Sequence, residues 1–321
     1  MLKIKKFTET DFEFSEICRI FNLVSHDFQE HPDDTKDDWH LKDKSLIFDR
    51  LFLQEDGKNV GFLAYNQGRK PNNQICFFNL YLDPNHEGKG YRQLLFNQML
   101  EEVKAFDCNQ FFADIYDHPN YDGNKAFLER NDFFIGLKIR EYSLKLKNVD
   151  FSVYDSLLKK LDDEGITFHD IKDCKNDFSN FYEKLEELEW AYTQDFPIPD
   201  EIAHTRMPYD LWMKHQKKFE EQNYGTQIIA MHGDKFVGAT DIEVLPKSDP
   251  HKGWTGGLGV IREYRRKGIA TAIKIHALQR LLKNGVLEVR TDNEQNNPMY
   301  KINVSLGFKP EPYGIEYKKK I

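Results

Sequence analysis

The stretch Val260-Ile261-Arg262-Glu263-Tyr264-Arg265-Arg266-Lys267-Gly268-Ile269-Ala270 decides how this chain reads. It follows an apolar, glycine-broken run, Trp254 to Val260, and opens a helical run, Ile269 to Lys283. A strand, a basic glycine turn and a helix leave backbone N–H groups at the helix start without intrahelical acceptors, and such groups bind phosphate. Arg265, Arg266 and Lys267 put three positive charges beside them. Gly268 and Ala270 keep the backbone nearly bare, so a ligand can approach it closely. The stretch predicts a pyrophosphate cradle on an α/β scaffold. Basic glycine turns also occur as plain solvated loops, so the surrounding chain has to decide.

Working outward, the pattern recurs. Leu80-Tyr81-Leu82-Asp83-Pro84-Asn85-His86-Glu87-Gly88-Lys89-Gly90-Tyr91-Arg92 is again an apolar run, a glycine turn and a helical pattern. Each turn is preceded by two alternating runs around a Gly/Asp pair: Ser45–Leu53 and Val60–Asn66 about Asp56-Gly57, then Gln227–Met231 and Phe236–Val244 about Gly233-Asp234. Such pairs between alternating runs are hairpin signals. Each helix is followed by a short strand, Gln110–Tyr116 or Val286–Thr291, and then by an apolar-aromatic ending, Asp132-Phe133-Phe134 or Gly307-Phe308. The chain therefore reads as two copies of one α/β module, each a central mixed sheet flanked by helices. Residues 1–150 form the first module and 151–321 the second. In the second, the early helical region runs long, about Ser179 to Gln222, and reads either as a substrate-facing lid or as helical core.

The 321 residues, 40% hydrophobic and 31% charged, suit a folded two-domain chain. A net charge of −8 speaks against a nucleic-acid partner and leaves room for a cationic one. Cys18, Cys76, Cys108 and Cys174 form no metal-type spacing and read as thiols in a reducing compartment. The N-terminus alternates like a strand, and no run approaches the roughly 20 apolar residues that span a bilayer. A cytoplasmic protein without metal or membrane contact is expected.

At the opening stretch the sequence resembles the GNAT superfamily of acyl-CoA-dependent N-acyltransferases. That family carries Arg/Gln-x-x-Gly-x-Gly/Ala between a strand and a helix, and Arg265-Arg266-Lys267-Gly268-Ile269-Ala270 satisfies every position. Its second landmark, an Asn-led helix ending in Gly-Phe, is similar to Asn296 through Gly307-Phe308. The two-module layout looks like tandem members of the family. The resemblance implies acetyl-CoA as acyl donor. Its pantetheine arm would lie against Leu258, Gly259 and Val260, where Gly256, Gly257 and Gly259 make a strand distortion cheap. Its pyrophosphate would lie on the loop from Arg265 to Ala270, including Ile269, with Asn296 facing the arm or the adjoining loop. The Val260 N–H would polarise the acyl carbonyl.

The chain also departs from the family. The landmark tyrosine that protonates the leaving thiolate in many members is Asn303 here, which carries no titratable proton. Tyr300, one helical turn earlier on roughly the same face, is either a substitute acid or a packed aromatic. Asp241 and Glu243 share one strand face, as base candidates or as polar rim, ahead of His251 and Asp292. In the first module Glu87 and Arg92 occupy the family's Arg/Gln and final Gly/Ala positions, and Leu128 and Asp132 erode the second landmark. That module is expected to be structural. The acceptor is expected to be a primary amine on a small molecule or peptide, a cationic one included, with specificity in Glu186 to Trp212. The rivals are a non-catalytic acyl-CoA-binding protein and an aminoacyl transferase of the tandem cell-wall type.

Overall fold

The computed structural model describes residues 1–221, 225–244, 247–294, 297 and 299–321. The chain forms two compact units. The first comprises Met1–Ile139, Ile198–Thr205 and Pro312–Ile321, the second Arg140–Pro197 and Arg206–Glu311. This differs from a division at residue 150, because two later segments return to the first unit.

The first unit contains β1 (Leu2–Lys6), α1 (Asp11–Val24), α2 (Pro32–Leu41), β2 (Phe48–Glu55), β3 (Lys58–Gln67), β4 (Ile75–Leu82), α3 (Tyr91–Val103), β5 (Gln110–Tyr116) and α4 (Asp122–Arg130). β6 (Phe134–Lys145) then leads into the second unit. That unit holds α5 (Asp155–Asp163), β7 (Ile166–Asp170), the single turn α6 (Ile171–Cys174), α7 (Phe181–Thr193), α8 (Tyr209–Glu221), β8 (Gly225–His232), β9 (Lys235–Val244), β10 (Lys252–Val260), α9 (Ile269–Lys283), β11 (Glu288–Glu294) and α10 (Tyr300–Ser305). β12 (Lys309–Lys320) carries the chain back.

In the first unit the strands lie in the order β1-β2-β3-β4-β5-β12. Only β4 and β5 are parallel. The β2–β3 turn puts Asp56 and Gly57 at φ 50° and 81°, the mirror-image turn that matches strand twist. α1 starts on a reciprocal cap between Thr10 and Glu13. One sheet face buries Leu95, Phe96 and Met99 of α3, and a second cluster packs Phe14, Ile17 and Trp39 of α1 and α2 on Phe52 and Phe62. β12 completes the sheet by pairing antiparallel with β5 from Gly314↔Tyr116 to Lys320↔Gln110. The Asn72 amide donates to Ala203 O at 2.8 Å and accepts from Ala203 N at 2.9 Å, which fixes the 198–205 segment.

In the second unit the order is β6-β11-β10-β9-β8-β7. Alternation along β8 sends Ile228 and Ala230 to a core with Ile273, Leu278 and Leu281 of α9, and Val237, at a register shift between β8 and β9, joins them. Ile229, Phe236 and Ala239 face the other way, to Phe181, Leu185 and Tyr192 of α7. The long helical region expected over 179–222 is thus two helices, α7 and α8, with the irregular 198–205 segment between them. All four cysteines are free thiols, and Cys18, Cys76 and Cys174 are buried. Among the described residues no helix is long and apolar enough to cross a membrane, and no cluster of His, Cys, Asp or Glu is built to hold a metal ion.

Candidate active site

The site starts from a fork in the sheet. β10 and β11 pair in parallel only from Lys252↔Glu288 to Trp254↔Arg290. On its other edge β10 stays paired to β9, with Gly256 opposite Asp241 and Gly259 opposite Ala239. Two residues of β10 there face one of β9, which is a β-bulge. Gly257 takes φ +53° in it, a conformation that favours glycine. The N–H of Ile261 donates to Val237 O at 3.0 Å, so by strand alternation the Val260 and Leu258 backbone groups face the open edge of the fork. The glycine-rich distortion expected from the sequence lies where the fork opens.

The basic turn follows directly. A 3-10 turn, Arg262–Tyr264, leads to Arg266 at φ +62° and to Gly268, the N-cap of α9, at φ +95°. No side chain caps α9, so its first N–H groups lack a side-chain acceptor. An arginine in the left-handed region costs about 1–2 kcal/mol, the kind of strain that accompanies a functional turn. Arg266 and Lys267 are exposed. Arg265 is exposed as well, but it is tied back to the protein: Nε donates to Val260 O at 2.7 Å and Nη2 to Asp195 Oδ2 at 2.5 Å. Asp195, just beyond α7, also receives Arg262 Nη2 at 2.6 Å. The hydrogen bonds from Arg262 and Arg265 hold its carboxyl well below the usual range. Of the three expected phosphate cations, Arg265 is therefore committed to bracing the turn.

On the α7 face, Asp241 lies against the bulge, and a methyl added at Gly257 would run into its carboxylate. Gln227 Nε2 donates to Asp241 Oδ1 at 2.7 Å and to Glu189 Oε1 at 2.5 Å. Trp212 Nε1 donates to Glu189 Oε2 at 2.7 Å. Burial, and then the Asp241 carboxylate beside it, push Glu189 up to about 8, and burial raises Asp241 as well. Both carboxylates are half-buried. Tyr192 packs on Gly259, where any Cβ would collide with its ring. Glu243, opposite Trp254, is exposed at the strand's end, so Asp241 is the carboxylate at the fork. Nearby on the same helices, a cavity of about 450 Å³ is walled by Glu183, Glu186, Glu187 and Tyr209, with Arg206 paired to Glu186.

The second landmark departs from expectation. Asn303 is 3% exposed and its Nδ2 donates to Asn293 Oδ1 at 2.6 Å. Tyr300, the first residue of α10 and one turn before Asn303 in the same helix, is 36% exposed. Asn296 lies outside the described residues.

The first unit's counterpart is closed by its own side chains. β4 pairs with β5 only over Ile75–Phe77, yet its ladder with β3 runs without a bulge. Arg92 is 9% exposed and turns inward. Its guanidinium is paired two-pronged to Glu87, and Nε donates to Asn124 Oδ1 at 2.6 Å. The Asn124 amide donates to Leu80 O at 2.7 Å, on the strand edge that corresponds to Leu258. A Cβ at Gly123 would stand 2.6 Å from Arg92 Nη2.

The chain belongs to the acetyltransferase (GNAT) family, whose description matches residues 12–133 and 182–304. It is 35% identical over 89 residues to N-alpha-acetyltransferase 30 of Schizosaccharomyces pombe, a match that takes in 25% of this chain and about half, 55%, of that relative. Among solved structures it is similar to a tandem GNAT protein from the clavulanic acid biosynthesis pathway, with a TM-score of 0.77 at 16% identity, covering 100% of this chain and 98% of the other. It is also similar to a GCN5-related N-acetyltransferase from Sphaerobacter thermophilus, with a TM-score of 0.68 at 15% identity, covering 99% and 95%. Both likenesses are of fold.

Sequence reasoning took in Glu189, Tyr192 and Asp195 only within the broad range Glu186 to Trp212, with no role for each, and missed Gln227 and the buried Lys274. Glu189 and Lys274 carried a usable signal, a charged residue on an apolar helix stripe: Glu189 between Leu185 and Tyr192, Lys274 between Ala270 and Leu278.

Proposed function

We propose that the second unit is an acyl-CoA-dependent N-acyltransferase that moves an acetyl group from acetyl-CoA to a primary amine by direct attack in a ternary complex. The observation that carries this reading is the continuous path from the bulged, half-unpaired β10 to the uncapped start of α9. The pantetheine arm would bond to the open edge at Leu258 and Val260 as an added strand does. The pyrophosphate would meet the N–H groups at Gly268, Ile269 and Ala270, with Arg266 and Lys267 alongside. A β10 N–H on the open edge of the fork would polarise the acyl carbonyl and stabilise the developing oxyanion. Asp241, coupled to Glu189, takes the proton that the attacking amine must lose.

The first unit is proposed to be structural, because Arg92 and Glu87 fill the place where a donor would lie. The acidic walls around Glu183, Glu186 and Glu187 suit an ammonium-bearing acceptor. The relative named as an N-alpha-acetyltransferase makes a peptide N-terminus one candidate among such amines.

A second reading, acyl-CoA binding without turnover, is favoured by the Asn303 amide, which is held on Asn293 and cannot supply a proton. Incubation of acetyl-CoA with a panel of amines and peptides separates the two. Thiol release matched one-for-one by acetylated acceptor supports the transferase, and tight binding without thiol release above background supports the second reading.

A further inference from the structure

α9 carries one charged side chain into the interior. Lys274 is 2% exposed, and its Nζ donates to Thr291 Oγ1 at 2.9 Å. The Thr291 hydroxyl in turn donates to Thr255 O at 2.8 Å. Thr255 and Thr291 are the residues just past the last parallel pair, Trp254↔Arg290, so this chain of bonds sits at the apex of the fork. The Thr255 hydroxyl is itself buried, 1% exposed, and has no hydrogen-bond partner among the described residues. A buried hydroxyl left unpaired costs about 1–3 kcal/mol, so it is a group that a polar ligand atom reaching the apex would satisfy.

The apex is also sided. A Cβ at Gly253 would stand 3.0 Å from Leu281 of α9, so Gly253 and, by alternation, Thr255 face α9. Gly257 faces Asp241 on the α7 side. The carboxylate pair and the lysine therefore approach the fork from opposite faces.

We propose that Lys274, with the Thr255 hydroxyl, forms a sulfur site that receives the leaving thiolate of coenzyme A. The inference rests on the donor reading given above. The arm runs from the cradle at Gly268 towards the apex, so its sulfur end lies deepest. The acceptor nitrogen bonds to the acyl carbon, and its proton passes to the Asp241–Glu189 pair. The C–S bond breaks with its electron pair on sulfur. An N–H bond of the Lys274 ammonium breaks as S–H forms; after the thiol departs the carboxylate pair gives its proton to solvent and Lys274 takes one up from solvent. This supplies at sulfur the proton that Asn303 cannot. Burial lowers Lys274 to about 7, with Asp292 on β11 drawing it upward, so the group gives and takes a proton near neutrality. The Phe308 ring, 5.3 Å from Nζ, is the remaining wall that favours a cation.

The test compares coenzyme A with desulfo-coenzyme A, in which hydrogen replaces the thiol, by calorimetry on the full chain. The unsubstituted protein is expected to bind coenzyme A about tenfold more tightly at pH 8, as a charge-assisted bond to a thiolate would give. Lys274→Met is expected to erase that preference, to leave acetyl-CoA affinity within about twofold, and to slow thiol release by about a hundredfold. Thr255→Val, closer in shape, is expected to reduce the preference with the fold intact. Equal affinity for the two ligands in the unsubstituted protein overturns the sulfur site and leaves the donor reading standing. Binding of neither ligand overturns the donor reading itself.

Discussion

Glu189 and Asp241, on a helix and a strand of the second unit, accept hydrogen bonds from one nitrogen, the side-chain amide of Gln227, at 2.5 and 2.7 Å. Two carboxylates held on one amide nitrogen do not both ionise easily. With Glu189 pushed up to about 8 and Asp241 raised, the pair retains a proton at neutral pH that the unfolded chain has lost.

Two pH effects follow from that proton. The folded state binds it more tightly than the unfolded state, so this pair's contribution to stability falls as pH rises from the ordinary carboxylate range through about 8. Glu189→Gln mimics the neutral form at every pH. Thermal unfolding between pH 5 and 9 should show the variant gaining on the unsubstituted protein as pH rises. Acyl transfer needs the pair as a base, so kcat should climb on the acid side of that interval, with loss of the Lys274 proton limiting it on the alkaline side, and the variant should flatten or shift that climb.

Charge reversal of the exposed Arg266 or Lys267 to Glu should weaken acetyl-CoA binding by about tenfold or more, as expected for a charge-assisted phosphate contact. Neither side chain is buried, so melting temperature should stay close to the original. Calorimetric titration with acetyl-CoA checks this. Gly268 is a poorer test site, because its φ of +95° and a Leu157 methyl 2.6 Å from the position of a Cβ would strain any replacement.

Asp195→Ala should act on the donor turn without touching the donor. It releases Arg262 and Arg265, whose ion pairs with Asp195 are largely exposed and so contribute little to stability. The expected result is a several-fold rise in KM for acetyl-CoA with kcat nearly unchanged. The difference between variant and original should shrink in high salt, where exposed pairs are screened.

Arg92→Met should lower the stability of the first unit by about 1–3 kcal/mol, by leaving the buried Asn124 carbonyl unpaired, and should leave acetyl-CoA stoichiometry at one per chain. Even Glu87→Arg with Arg92→Ala, which copies the second unit's pattern, should not add a second site, because β4 has no bulge. A stoichiometry of two in either protein would refute the structural role of this unit.

The legible parts of the chain were those whose geometry is local. Arg265 to Ala270 is six contiguous residues, and the turn, the helix start at Ile269 and the glycine-broken strand all follow from neighbours in sequence. The mismatch at Glu87 and Arg92 was equally readable, but the inward turn of Arg92 depends on Asn124, 32 positions away. Glu189 meets Gln227 across 38 positions and Asp195 meets Arg265 across 70, and no periodicity encodes such meetings. The spacing of Tyr300 and Asn303 was local and readable, but that Asn303 is buried on Asn293 while Tyr300 is largely open depends on contacts outside α10.

The return of β12 to the first unit has a consequence for how the protein is made. Tyr317 Oη donates to Glu129 Oε1 at 3.1 Å, a meeting of residues 188 apart, and the whole β5 edge waits for the same strand. During synthesis the first unit therefore stays one strand short until residue 320 has left the ribosome. For that interval β5 presents bare backbone to any other strand in the vicinity. Pairings this distant in sequence form slowly. A fragment ending at residue 150 should behave as that exposed nascent chain does, prone to self-association, and a peptide spanning β12 supplied in trans should suppress it.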